Sequence, residues 1–220
     1  RKDGVAFWNE LHVSPVLGEE GDVTHFVAII NDISERMKYE QQLEHKANYD
    51  DLTGLPNRNL MHDRLAQALI RAQRRDGVVA LLFADIDRFK IINDSLGHQV
   101  GDRLLVTVGQ RLRESVRAND TVARYGGDEF VVVLTDVASV DDVTQMATRI
   151  TESLAAPIAI DDQTLRVTLS IGASLYPRDG REAATLIKNA DTAMYRSKEL
   201  GRNRFQFFTA ELNEQVLERR

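Results

Sequence analysis

Residues 78–84 form an unbroken apolar run, Val-Val-Ala-Leu-Leu-Phe-Ala, of the length and texture expected of a strand buried on both faces. Leu60, Leu65 and Leu69 before it repeat at helical spacing. After it, Leu104, Leu105, Val108, Leu112 and Val116 mark one face of a second helix. Residues 121–125 and 129–134 are apolar strands on either side of Gly126-Gly127, which predicts a hairpin. A helix over 140–155, a strand over 165–175, a helix over 182–200 stopped by Gly201, and a strand over 204–208 complete the pattern. Helices interrupt most strands, yet one strand pair is joined directly. That order predicts an α/β fold with a mixed sheet flanked by helices. Ahead of it, residues 5–16 and 24–33 read as two strands joined by Gly18-Glu19-Glu20-Gly21-Asp22. A lone hairpin is marginal in water, so these strands belong to a larger sheet. Residues 34–48 are charged and helical in texture, with Asp32 and Glu35 spaced as a capping box and Tyr39, Leu43 and Ala47 four apart. A short coiled coil and a solvated linker helix both fit that stripe.

Composition narrows the function. The 220 residues are 43% hydrophobic and 28% charged, enough for a proper core. Twenty-eight Lys and Arg against 34 Asp and Glu leave a net charge of −6, which argues against nucleic acid or an anionic membrane as partner. With no cysteine, disulfides, thiolate metal sites and cysteine nucleophiles are excluded. The apolar run at 78–84 is far short of a membrane span, and no signal peptide opens the chain. A cytoplasmic location is expected, with any anchor lying elsewhere, because a chain opening on Arg1 reads as a piece of something longer. No P-loop, kinase set, nucleophile elbow or zinc-spaced histidines occur.

Carboxylates gather at two strand ends. Asp85-Ile86-Asp87 leaves the most apolar strand, and Gly126-Gly127-Asp128-Glu129 forms a hairpin tip. Either alone suits a solvated turn. If the two strands are neighbours, Asp85, Asp128 and Glu129 converge and repel one another unless a cation lies between them. A few hard oxygen ligands suit Mg²⁺, which shares its shell with water and substrate phosphates. The residues alone therefore point to metal-assisted phosphoryl or nucleotidyl transfer.

Tyr125-Gly126-Gly127-Asp128-Glu129-Phe130 resembles the signature of the GGDEF family, the diguanylate cyclases. Four further segments fit in the family's order: Asp51-Leu52-Thr53-Gly54-Leu55-Pro56-Asn57-Arg58; Asp85-Ile86-Asp87-Arg88-Phe89-Lys90 running on to Asn93-Asp94; Gly97-His98-Gln99-Val100-Gly101-Asp102; and Lys198-Glu199-Leu200-Gly201-Arg202-Asn203. The likeness spans about residues 48–208. Residues 1–33, with Phe7-Trp8 and Asp32-Ile33-Ser34, resemble more weakly the C-terminal part of a PAS sensor domain.

The resemblance implies a palm-like fold, similar to ferredoxin-like and nucleotidyl cyclase domains, over 49–208. A partial PAS hairpin (1–33) and a linker helix (34–48) would precede it, and an exit helix (209–220) would follow, which in some members leads to an EAL phosphodiesterase domain. It implies condensation of two GTP into cyclic di-GMP and two pyrophosphates, across two facing copies in a homodimer. Mg²⁺, with Mn²⁺ as a substitute, would be held by Asp85, the Ile86 carbonyl, Asp128 and Glu129, with Asp128 also the base for the 3′-hydroxyl. Asn93 and Asp102 match guanine readers, while Phe89, Lys90, Lys198 and Arg202 match substrate-binding positions. Ordinary roles stand beside these: a turn for Asn93, a helix cap for Asp102, and a helix C-terminus for Lys198. Arg117 and Asp120 resemble the family's inhibitory product site, and Asn57 and Arg58 a structural coupling between linker and domain. A second reading is a GTP-sensing module that controls a downstream EAL domain.

Overall fold

The computed structural model describes residues 6–19 and 21–212. The chain divides into two compact units, residues 1–47 and 48–220. In the first, β1 (Asn9–Leu17) and β2 (Val23–Asp32) form an antiparallel ribbon with Asn9 opposite Asp32. Apolar side chains stand exposed on it, including Phe26 at 66% and Ile30 at 62%, and Trp8 just ahead of it is 63% exposed. Val5, expected in the first strand, lies outside the described residues. Helix α1 (Ser34–Asn48) follows and buries no residue; Tyr39 and Leu43 are exposed. The Asp32 carboxylate accepts the Ser34 N–H, so the turn into the helix is tied one residue earlier than a capping box with Glu35 requires.

The second unit is built on a five-stranded sheet in the order β4-β5-β3-β8-β9. Strand β3 (Val78–Ile86) lies at its centre, antiparallel to β5 (Glu129–Val137) and β8 (Leu169–Tyr176). β4 (Thr121–Gly126) pairs antiparallel with β5, and β9 (Arg204–Phe207) lies parallel to β8. This is the mixed sheet flanked by helices that the sequence predicts. Alternation along β3 explains its unbroken hydrophobicity. Ala80, Leu82, Ala84 and Ile86 face one core, with α4 (His98–Ser115) and α5 (Val140–Ala155). Val79, Leu81 and Phe83 face the other, with α2 (Arg58–Arg75) and α6 (Ala183–Glu199). Asp85 inherits the odd position and so turns toward the α6 face.

The remaining elements depart from the expected outline. The strand expected over 165–175 is two elements: β7 (Gln163–Leu165) pairs in a small hairpin with β6 (Ile158–Ile160) around Asp161-Asp162, and β8 starts at Leu169. A short helix, α3 (Phe89–Leu96), occupies a stretch whose Asn93-Asp94-Ser95 hides any apolar period. Of the exit helix expected over 209–220, residues 209–212 are described, and 210–212 are helical while Thr209 is not; 213–220 lie outside the described residues. Among the described residues, no helix is long and apolar enough to cross a membrane.

Candidate active site

The two acidic strand ends meet. Asp85 and Glu129 are direct cross-strand partners on β3 and β5, which sets their β-carbons about 5 Å apart. The Ile86 N–H donates to the Asp128 carbonyl at 3.3 Å, bringing the hairpin tip against the end of β3. From the α6 face, Lys198 Nζ reaches Asp85 Oδ2 at 2.7 Å. Burial raises the Asp85 carboxyl; Lys198 pulls it down, and Asp128 and Asp87 push it further up. Burial also raises Glu129, followed by repulsion from Asp191, Asp85 and Asp128, with Lys198 acting in the opposite direction. The site is thus a knot of partly desolvated acids, with one ammonium at hydrogen-bond distance.

Asp191 was not singled out by the sequence reading. It stands two helical turns before Lys198 on α6, a spacing that puts both on one face. Burial raises its carboxyl too, with Lys198 opposing.

Asp87 has a different task. Its carboxylate accepts from Thr168 Oγ1 at 2.6 Å, Ser170 Oγ at 2.7 Å and the Asn203 N–H at 3.1 Å, and Arg202 Nε lies 4.0 Å away. It joins the end of β3 to the start of β8 and to the loop after α6, and so fixes the backbone that carries Arg202.

On the α3–α4 side, Asn93 and Asp102 come into one neighbourhood. The Asn93 Oδ1 is buried without a hydrogen-bond partner and packs on Gly101, where a β-carbon would stand 1.9 Å from it. Asn93 lies in a helix rather than a turn, and Asp102 lies within α4 rather than capping it; Gly97 is the cap. A buried acceptor with no partner is the atom one expects where an absent polar ligand completes the bonding. The Phe89 ring is buried in the core beneath Gly101, so its side chain is not presented to a ligand. Lys90 is exposed.

Arg117 and Asp120 lie apart from this cluster, at the opposite end of β4 and about 20 Å along it. They line a cavity of about 500 Å³ with Arg64 and Arg113. Both oxygens of Asp120 already accept backbone N–H groups, from Arg117 at 3.1 Å and Thr135 at 3.1 Å.

The hairpin tip is held from behind by Arg124, another residue the sequence reading passed over. Its Nε and an NH2 donate to the Gly127 carbonyl at 3.0 and 2.8 Å, while NH1 donates to both oxygens of Asp50 at 3.1 Å. Gly127 has φ +53, a left-handed geometry that favours glycine. Asp50 in turn accepts from the Thr53 N–H and hydroxyl at 2.9 and 2.7 Å. Asn57 caps α2 by accepting from the N–H groups of Asn59 and Leu60, and the Arg58 guanidinium lies 4.6 Å over the Tyr125 ring. An arginine inside an otherwise apolar strand, four residues before the acids, was the available signal.

Burial works to raise the Asp50 carboxyl, but the Thr53 hydroxyl and N–H and the Arg124 guanidinium outweigh it and hold the group below its ordinary value. A carboxyl lowered in the folded state adds stability that is fully present above the unfolded-state value, about 4, and is lost as pH falls through the folded value. Urea midpoints are therefore expected to drop more steeply below about pH 4 in the native chain than in Asp50→Asn. Parallel curves would show that the Arg124–Asp50 pair adds nothing to stability.

Comparison with known proteins accounts for this arrangement. Residues 47–204 match the family model described as "Diguanylate cyclase, GGDEF domain". The chain is 44% identical over 173 residues to the bifunctional diguanylate cyclase/cyclic di-GMP phosphodiesterase MucR of Pseudomonas aeruginosa, covering 79% of this chain and 25% of that protein. The crystal structure of the GGDEF domain of TpbB from the same organism is similar with a TM-score of 0.70 at 43% identity, covering 71% of this chain and 98% of that one. The coiled coil and GGDEF domain of DgcB from Caulobacter crescentus, in complex with c-di-GMP, gives a TM-score of 0.70 at 25% identity, covering 80% and 93%. The chain spans about a quarter of the length of the first curated relatives it matches. With the five-stranded sheet, the Gly126-Gly127-Asp128-Glu129 tip and the family model in agreement, the chain belongs to the GGDEF diguanylate cyclase family.

Proposed function

We propose that the chain joins two GTP molecules into cyclic di-GMP, releasing two pyrophosphates, with one nucleotide on each of two facing copies. The observation that carries this reading is the cross-strand pairing of Asp85 with Glu129, beside Asp128 and under Lys198. In each half-reaction a bond forms between a 3′-oxygen and the α-phosphorus of the opposite nucleotide. The bond from that phosphorus to the pyrophosphate oxygen breaks, and pyrophosphate leaves with the electron pair. Asp128, at the exposed tip, takes the 3′-hydroxyl proton. Lys198 and Arg202 hold the terminal phosphates, with Lys90 at the margin, and Asn93 and Asp102 read the guanine edge. The unpartnered Asn93 oxygen supports that last assignment, since a polar base edge would satisfy it.

Asp85, Asp128, Glu129 and the Ile86 carbonyl are hard oxygen donors that fit Mg²⁺ or Mn²⁺. Among the described residues no group of three or more ligating side chains stands preassembled, so the fit is to a cation that arrives sharing phosphate oxygens. When bound, it would supply the positive charge that lets acidic residues receive a polyanion. Until then Lys198 neutralises Asp85. Product restraint at Arg117 and Asp120 is supported by the arginine-lined cavity there. Residues 1–33 we read as the C-terminal part of a PAS-type sensor, on the strength of Phe7-Trp8 just ahead of β1 and the exit of β2 through Asp32-Ile33-Ser34 into α1.

The test is turnover of GTP with Mg²⁺ at several protein concentrations. Cyclic di-GMP and pyrophosphate are expected in a 1:2 ratio, with an initial rate that rises as about the square of protein concentration when copies are mostly apart. A first-order rate, or pyrophosphate without the cyclic product, would overturn the reading. The alternative, a GTP sensor for an attached phosphodiesterase, draws support from the two activities named in MucR. GTP binding without turnover would favour it.

A further inference from the structure

Beside Asp87 lies a second cavity of about 360 Å³. It is within the size range of small-molecule sites. Three guanidinium-bearing residues line it: Arg88 at the cap of α3, Arg166 just before β8, and Arg202 after α6. Arg88 and Arg166 make no ion pair and no side-chain hydrogen bond among the described residues, and Arg202 has only the 4.0 Å approach to Asp87. The Asp87 carboxylate is already occupied by Thr168, Ser170 and Asn203. Three cations against one engaged anion leave the cavity strongly positive, in a chain whose net charge is −6. Like charges held around one hollow repel unless an anion is shared between them.

The backbone carries a second, independent mark. Six non-glycine residues among those described have positive φ, and three line this cavity: Arg88 at +60, Arg202 at +65 and Asn203 at +47. Such conformations persist where surrounding contacts hold them, and they cluster at binding sites. Here Asp87 holds the Asn203 N–H.

We propose that this cavity receives the departing pyrophosphate on Arg88, Arg166 and Arg202. The inference rests on the cyclase reading above, because Arg202 belongs both to the proposed phosphate grip and to the cavity. A diphosphate released there passes from Lys198 and Arg202 to Arg202, Arg88 and Arg166 without losing its cationic partners, and no covalent bond changes in that transfer. Guanidinium forks suit the several oxygens of a diphosphate.

The test is calorimetric titration of sodium pyrophosphate without divalent cation, which reads this cavity without needing turnover. Arg166→Ala, at an exposed position that should leave folding intact, is expected to weaken pyrophosphate binding about tenfold, the usual size of one charge-assisted contact. Arg88→Ala should do the same, while Arg71→Ala, on α2, should change nothing. A non-hydrolysable GTP analogue should bind Arg166→Ala within about twofold of the native chain. Unchanged pyrophosphate affinity in Arg166→Ala, or no pyrophosphate binding by the native chain, would overturn the proposal. Equal losses for pyrophosphate and the GTP analogue would also overturn it, because the arginines would then belong to the substrate's own triphosphate grip. Arg166-dependent pyrophosphate binding in a chain that makes no cyclic di-GMP would sink the cyclase reading and leave a diphosphate site standing.

Discussion

Asp128→Ala is expected to lower cyclic di-GMP formation by about a thousandfold while leaving the fold in place. The side chain is half-exposed at a hairpin tip, and the contact that locks the tip to β3 uses the Asp128 carbonyl, which alanine keeps. Stability should therefore stay within about 0.5 kcal/mol of native. What disappears is the carboxylate beside Asp85 and Glu129, and with it the proposed acceptor for the 3′-hydroxyl proton. Asp128→Asn preserves shape and removes charge, so a similar loss there would assign the effect to the charge. A rate within a few-fold of native for Asp128→Ala, at equal thermal midpoint, would take Asp128 out of the chemistry.

Gly172→Ala should have the largest effect on stability. Gly172 lies mid-strand in β8, between Phe83 on one side and Gln206 on the other, where α6 presses directly on the sheet. An added β-carbon would stand 2.0 Å from the Ala190 carbonyl oxygen and 2.1 Å from the Met194 nitrogen. Both are backbone atoms, so no side chain can swing aside. The helix must move, or β8 must. A cost of about 3 kcal/mol is expected, the upper end for forced overpacking, which lowers the thermal midpoint by roughly 10 °C. Because α6 carries Lys198, activity should fall together with stability. A midpoint within about 2 °C of native would show that the helix yields freely.

The acidic strand ends could be read from the sequence because hydropathy marks where a buried strand stops. That Asp85 and Glu129 stand side by side depends on β5 pairing with β3, and hydropathy does not encode strand order. Asp87 shows the limit sharply. It is the same residue type as Asp85 and two positions on, yet its partners Thr168, Ser170 and Asn203 lie 81, 83 and 116 residues downstream. Only the fold separates a carboxylate that fastens strands from one whose ion pair is with Lys198. Arg124 was hidden for a similar reason, since its two partners lie on opposite sides of it in sequence, 74 residues back and three ahead. The expected strand over 165–175 ran two elements together because Arg166-Val167-Thr168, the stretch between β7 and β8, carries neither glycine nor proline to mark a break.

The bonds from Asp87 also stiffen one side of the proposed site. They rivet the end of β3, the start of β8 and the loop bearing Arg202 through one side chain, so Asp85 and Arg202 stand on one braced wall. On the cyclase reading proposed above, any widening that admits a nucleotide would then fall to α3 and α4, which carry Asn93 and Asp102. Recognition of the base and closure of the cleft would, on that reading, be one motion.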